Sequence, residues 1–66
     1  MPDQSGLISS LRRLSPSQRA AVILHHYAGY STKEVAALIG STNAAVKVHL
    51  SRGRKRLRKW LEANDE

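Results

Sequence analysis

Between Asn43 and Arg58 the chain sets cations and small side chains at intervals that suit a polyanion. On a helix, at about 100° per residue, Lys47, Val48, Ser51, Arg54, Lys55 and Arg58 share one broad face, with Asn43 and Ala44 at its start. Lysine can donate to guanine O6 and N7, asparagine can pair bidentately with adenine, and Ala or Val methyls suit the thymine methyl. The leading turns of a recognition helix are the ones that reach base edges. Asn43, Ala44, Lys47, Val48 and Ser51 are therefore the candidate base readers. Thr32, Lys33, Thr42, Arg52, Arg54 and Lys55 are candidates for phosphate contacts, which position a helix without reading sequence. Arg56 and Lys59 lie further round and are assigned to solvent. A run of cations ordinarily just solvates the outside of a helix. This one follows a capped turn and meets no acid before Glu62, which favours a polyanionic partner.

Other chemistries find little support. Ser17 and Ser31 read as helix caps, and no base is placed to activate either as a nucleophile. His25 and His26 diverge by about 100° on a helix, and neither they nor His49 have a cysteine to join them. No metal site, cofactor, small-molecule substrate or enzymatic activity is expected. Trp60, beside Leu57 and Leu61, reads as a core anchor; stacking on single strands needs several exposed aromatics, and aromatic content is 5%. The net charge of +6 and pI near 10.6 agree with a nucleic-acid partner.

The length allows one domain, and a domain of this size buries only ~60% of its unfolded surface. With no cysteine, neither a disulfide nor a thiolate metal site can reinforce it. That composition fits the cytoplasm. No apolar run approaches the ~20 residues of a membrane span, and Met1–Gly6 lacks the features of a signal peptide.

The elements that must hold the basic face are legible as helices. Leu7, Ile8, Leu11 and Leu14 mark a short amphipathic helix of about two turns, with Arg12 and Arg13 turned away. Ser15 caps the next, with Pro16 at its first position and Gln18 closing a capping box. That helix runs to about Ala28 and stops at Gly29. Its expected core face is Ala20, Ala21, Ile23, Leu24, Tyr27 and Ala28, with Arg19, Val22 and His26 outward and His25 at the boundary. Ser31 and Glu34 form a second capping box, after which Val35, Leu38 and Ile39 face inward and Gly40 ends the helix. Thr42 caps the last and longest helix, whose buried stripe is Val46, Leu50, Gly53, Leu57 and Leu61, with Trp60 at its edge. Gly53 on that stripe costs about 1 kcal/mol of helix propensity, which a close helix approach would explain. No stretch alternates long enough for a strand.

The expected fold is all-α: a four-helix domain containing a helix-turn-helix with a long C-terminal recognition helix. It spans 7–62, behind a linker or leading segment at 1–6 and ahead of a frayed acidic tail at 63–66. The tail's carboxylates stand at a helix C-terminus, where negative charge is mildly unfavourable.

Leu14–Arg19, Tyr30–Gly40 and Val46–Leu57, in that order, resemble region 4 of bacterial sigma factors, and the extracytoplasmic-function group in particular. The resemblance covers Leu7 to Leu61 and departs from the family pattern at Ala45, His49 and Gly53. His49 stands where the family often has Arg, so one backbone contact is in doubt. The resemblance implies recognition of the −35 promoter element in double-stranded DNA, often with a GGAA-like core. It also implies docking on the flap of the RNA polymerase β subunit and masking by an anti-sigma factor. The docking expectation falls on Arg19, Val22 and His26 as an outward strip. No −10-binding region is recognisable, so the chain reads as an excised domain or as one that acts beside another subunit. Two alternatives share these features: the DNA-binding domain of a LuxR-type regulator, and a module that chiefly docks on polymerase or an anti-sigma protein.

Overall fold

Three hydroxyls set the starts of three helices. The Gln18 amide donates to Ser15 Oγ at 3.2 Å, and the Ser15 amide donates to Gln18 Oε1 at 3.1 Å. The second box repeats the exchange: Glu34 amide to Ser31 Oγ at 3.1 Å, Ser31 amide to Glu34 Oε1 at 2.8 Å. At the third start the Ala45 amide donates to Thr42 Oγ1 at 3.0 Å. Each such cap contributes about 1 kcal/mol. The caps are Ser15, Ser31 and Thr42. Ser17 lies inside the second helix and caps nothing.

The computed structural model describes residues 4–64. Four helices follow one another: α1 Gln4–Arg12, α2 Pro16–Val22 continuing through a π-helical segment Ile23–Tyr27, α3 Thr32–Ile39, and α4 Asn43–Asn64. Among the described residues there is no strand. Helix α1 takes in residues 4–6, expected as linker, and α4 takes in 63–64, expected as frayed tail. The segments 1–3 and 65–66, and the side chains of Gln4, Ser5, Leu7 and Asn64, lie outside the described residues.

Gly40 ends α3 in the left-handed region (φ 67°), where an L side chain would be strained, and Ser41 and Thr42 lead straight into α4. Helix, tight turn and longer helix make the helix-turn-helix. Helix α4 is the spine against which α1, α2 and α3 all pack. Its 22 residues run about 33 Å at 1.5 Å each, against a longest molecular dimension of 38 Å.

The core is Leu14, Ala21, Val22, Val35, Ala36, Val46 and Leu50, with Leu11, Leu24, Ile39 and Leu57 partly buried against it. Several expected inward positions turn out exposed: Ile8, Ile23, Tyr27, Ala28, Leu38 and Leu61. On α1, Ser10 is buried where Ile8 was expected. On α2 the inward row is Gln18, Ala21, Val22 and His25, the i, i+3, i+4, i+7 set of one helix face. Val22 is 2% exposed and belongs to the core, not to an outward strip. Its partner explains the phase. A Cβ on Gly53 would come within 3.1 Å of Val22 Cγ2, so α2 and α4 touch where only small groups fit. Close approach thus selects Ala21 and Val22 over the bulkier Ile23 and Tyr27. On α3, Val35 and Ala36 are buried and Leu38 lies outside. Leu61 lies beyond the reach of the shorter helices, and Trp60 continues the stripe instead, half-buried beneath Arg13.

Past Val22 the backbone widens to i→i+5 bonding: the Ala28 amide donates to the Ile23 carbonyl at 2.9 Å. His25 Nδ1 donates to the Tyr30 carbonyl at 2.8 Å, since a carbonyl can only accept, and this pins the bend toward α3.

Candidate nucleic-acid interface

Val46, Leu50 and Gly53 are buried against α2 and α3, and this fixes the rotation of α4. Everything about 100° to 180° away from that stripe must face outward. Ala44, Lys47, Val48, Ser51, Arg54 and Lys55 are all exposed. Ser51, Arg54, Lys55 and Arg58 together line an open groove of about 420 Å³ along the helix flank. Arg58 was on the expected face but not among the expected contacts. Its spacing from Ser51 and Arg54 (i+7 and i+4) is the signal that could have placed it there. No carboxylate pairs with these cations among the described residues, so their charge is open to a ligand.

The remaining expected contacts spread over the helix-turn-helix. Lys33 and Arg52 are exposed, Thr32 is half-buried, and Thr42 is engaged in capping α4 while its residue stays at the surface. Thr32 and Lys33 start α3 and Thr42 starts α4, so these flank the leading turns, whereas Arg52 lies round the helix from Lys47 and Arg54. Asn43 takes the first position of α4. Its Oδ1 is buried without a hydrogen-bond partner, so bidentate pairing with adenine requires the side chain to swing outward. An unsatisfied buried acceptor costs about 1–3 kcal/mol, which favours that swing whenever a donor is offered.

His49 is half-buried and lines a separate cleft of about 360 Å³ with Ser17, Ile39, Gly40 and Ser41, on the side facing the start of α2. His26 stays at the surface beside α4. Partial burial, then the neighbouring His25, then Arg54, hold its imidazole below the ordinary value of 6.5. His26 is therefore within electrostatic reach of the basic flank. The Ser31 backbone amide and then its hydroxyl hold the exposed Glu34 carboxyl below 4.5, which extends the charged form of the capping box to lower pH.

Among the described residues no group of His, Asp or Glu is arranged to hold a metal, and no helix is long and apolar enough to cross a membrane. What the surface offers is cations, methyls and a hydroxyl on the leading turns of a rigidly held helix.

Comparison with known proteins agrees with this geometry. The family model described as sigma-70, region 4, matches residues 6–57. The chain is 41% identical over 63 residues to an RNA polymerase sigma-E factor of Streptomyces avermitilis, a match covering 96% of this chain and 35% of that protein. It is likewise 41% identical over 63 residues to the sigma-E factor of Streptomyces coelicolor, covering 96% of this chain and 36% of the relative. Against RNA polymerase sigma factor CarQ of Myxococcus xanthus it is 36% identical over 55 residues, 83% of this chain and 32% of that one. The chain spans about a third of the length of the curated relatives it matches.

Proposed function

The chain belongs to the sigma-70 region 4 family, and from that premise we propose that it binds the promoter −35 element as the upstream-recognising part of a sigma factor of the extracytoplasmic-function group. The observation that carries the reading is the exposed face of α4's leading half. Ala44, Lys47, Val48 and Ser51 stand outward while Val46 and Leu50 anchor the same turns in the core. A helix held this way enters the major groove without having to rearrange, so little ordering cost is added on binding.

In this reading Lys47 donates to guanine, Asn43 turns out to adenine, and the Ala44 and Val48 methyls meet thymine. Ser51 completes the base-reading set. Thr32, Lys33, Thr42, Arg52, Arg54 and Lys55 hold phosphates. Selection from randomised duplexes tests the division. Lys47→Ala should cost ~1–3 kcal/mol on a site with adjacent guanine and adenine, and should relax preference at one guanine. Arg54→Ala should weaken all sequences alike. Unchanged base preference in Lys47→Ala would make this side chain a phosphate contact and overturn the assignment of the groove face.

Docking on RNA polymerase accompanies this role in the proposal, as the names of the relatives suggest. Of the strip expected to serve it, Arg19 is half-buried and His26 exposed, while Val22 is unavailable in the core.

A further inference from the structure

Beyond Val22 the chain sets two imidazoles side by side. The rings of His25 and His26 stand 5.0 Å apart, edge to face at 65°. Both lie in the π-helical segment Ile23–Tyr27, which the Tyr30 amide closes by donating to the Leu24 carbonyl at 3.0 Å. His25 is tied down: its Nδ1 donates to the Tyr30 carbonyl at 2.8 Å, one residue before the cap of α3. His26 is exposed, one turn beyond Val22, and Val22 is the residue that meets Gly53 of α4. Arg54 follows Gly53, and the charges acting on the His26 ring are those of His25 and Arg54. From α3, the third element packed there, come the exposed Lys33 and Glu34, whose carboxylate is committed to the Ser31 amide at 2.8 Å. Among the described residues no acid pairs with either imidazole. The pair is thus bonded on one side to the segment that starts α3, with Thr32 and Lys33. On the other it meets Arg54, which lines the groove of α4 with Ser51, Lys55 and Arg58.

We propose that His26 is a further DNA contact and a proton-dependent one: a backbone phosphate seated beside Arg54 also receives an N–H from the protonated His26 ring, so that DNA binding draws a proton from solution. His25 is the positioning residue, because its bond to the Tyr30 carbonyl holds the pair against the start of α3. The inference rests on the reading of −35 binding given above and adds to it a dependence on pH. The argument is one of sign. Away from DNA, partial burial, His25 and Arg54 all favour the neutral ring of His26. A phosphate offsets the charge of Arg54 and brings an opposite charge of its own, and opposite charge within ~4–6 Å favours the protonated form. The imidazolium donates from both nitrogens, whereas the neutral ring donates from one, and hydrogen bonds between charged groups are the stronger kind. Arg or Lys at this position would attract DNA at every pH; His does so only toward acid. His26 here serves the DNA flank, not the outward strip expected of it.

The test is fluorescence anisotropy of a promoter duplex against the full chain at constant ionic strength, from about pH 8 to about pH 5.5. Circular dichroism confirms the fold at each point. Affinity should rise about threefold to tenfold toward acid. Over the same range the slope of log K against log salt should steepen by about one, the share of one added cation. His26→Gln should lose both trends and bind more weakly than the parent at the acid end. His26→Arg, with a permanent cation, should bind tightly at every pH. His49→Gln should keep the trend with pH. NMR titration should find the His26 ring holding its proton to higher pH with the duplex than without it. A trend that survives in His26→Gln or vanishes in His49→Gln would overturn the proposal by placing the proton elsewhere. So would a His26 ring that titrates alike with and without DNA. Tight binding by the parent that ignores pH would overturn it too, while leaving the −35 reading in place. Failure to bind any duplex at any pH would remove that reading and this inference with it.

Discussion

Gly53 is the residue whose substitution tests the packing most sharply, because two effects of similar size oppose each other there. Replacing it with Ala inside a helix should gain about 1 kcal/mol of propensity. The new Cβ, however, would lie 3.1 Å from Val22 Cγ2, where ordinary carbon contacts begin at about 3.5 Å. Val22 cannot easily yield. It is 2% exposed, and a valine in a helix has one strongly preferred rotamer. Overpacking of this kind typically costs 1–3 kcal/mol, so Gly53→Ala should be neutral to destabilising by about 2 kcal/mol in net terms. The sign should reverse when Val22 is shortened. In a Val22→Ala background the next neighbours are Gln18 Cβ at 3.6 Å and Gln18 O at 3.8 Å, both ordinary contacts. There, Gly53→Ala should stabilise by about 1 kcal/mol. Urea unfolding followed by circular dichroism, at low temperature so that the weaker variants stay folded, measures all four corners of the cycle. Equal stabilisation by Gly53→Ala in both backgrounds would show that α2 and α4 do not meet as closely as described.

Leu50→Ala should cost ~2–5 kcal/mol, since Leu50 is 4% exposed in the middle of the stripe; a thermal-unfolding change below about 0.5 kcal/mol would contradict the phase of α4. Ser31→Ala keeps the backbone amide and removes only the hydroxyl's share, so the Glu34 pKa should rise part of the way toward 4.5, read by NMR titration. Because the folded-state pKa is the depressed one, the capping box stabilises the fold above about pH 4.5 and loses that contribution as pH falls through the folded value. His26 also has a lowered folded pKa, so stability should fall as pH drops below 6.5, and His26→Gln should remove that slope. For DNA, neutralising about five phosphates gives a slope of log K against log salt near −4.5, made shallower by about one in Arg54→Ala; fluorescence anisotropy across a salt series reads both.

The helix starts were legible in the sequence because caps are local. Ser15 with Gln18 and Ser31 with Glu34 are exchanges three residues apart, and nothing distant alters them. Helix rotation was less so. Apolar size pointed to Ile8, Ile23, Tyr27, Leu38 and Leu61, yet the helices meet through Ser10, Ala21, Val22, Ala36 and Gly53. Where helix axes come close, the contact excludes large side chains, so hydrophobicity weighted by size misjudges the face. The basic face survived this error because α4's register rests on Val46 and Leu50, which are both apolar and buried. The link from His26 to Arg54 was out of reach. It needs α2 to pass over the middle of α4, and no spacing along the chain encodes that contact.

One proton on His26 enters two equilibria with opposite signs, which makes its effect on the complex calculable in kind. In the free chain the folded-state pKa lies below 6.5, so the unfolded chain takes up the proton first and acid works against the fold. In the complex a phosphate beside Arg54 favours the imidazolium, so acid works toward binding. The two are tied by linkage: whatever factor protonation adds to DNA affinity, DNA adds to the affinity of the ring for its proton. A saturating duplex should therefore do more than raise stability by mass action. It should also remove the loss of stability that the free chain shows as pH falls below 6.5. Urea unfolding followed by Trp60 emission, to which the duplex contributes nothing, reads both slopes across that range. Salt separates a contact from a distant field. Charges further apart than the Debye length, ~8 Å at physiological ionic strength and ~30 Å at 0.01 M, are largely screened. A phosphate that touches the ring should keep its effect at physiological salt. Equal slopes with and without the duplex would mean that no phosphate comes to His26, and the working flank of α4 would end at Arg54.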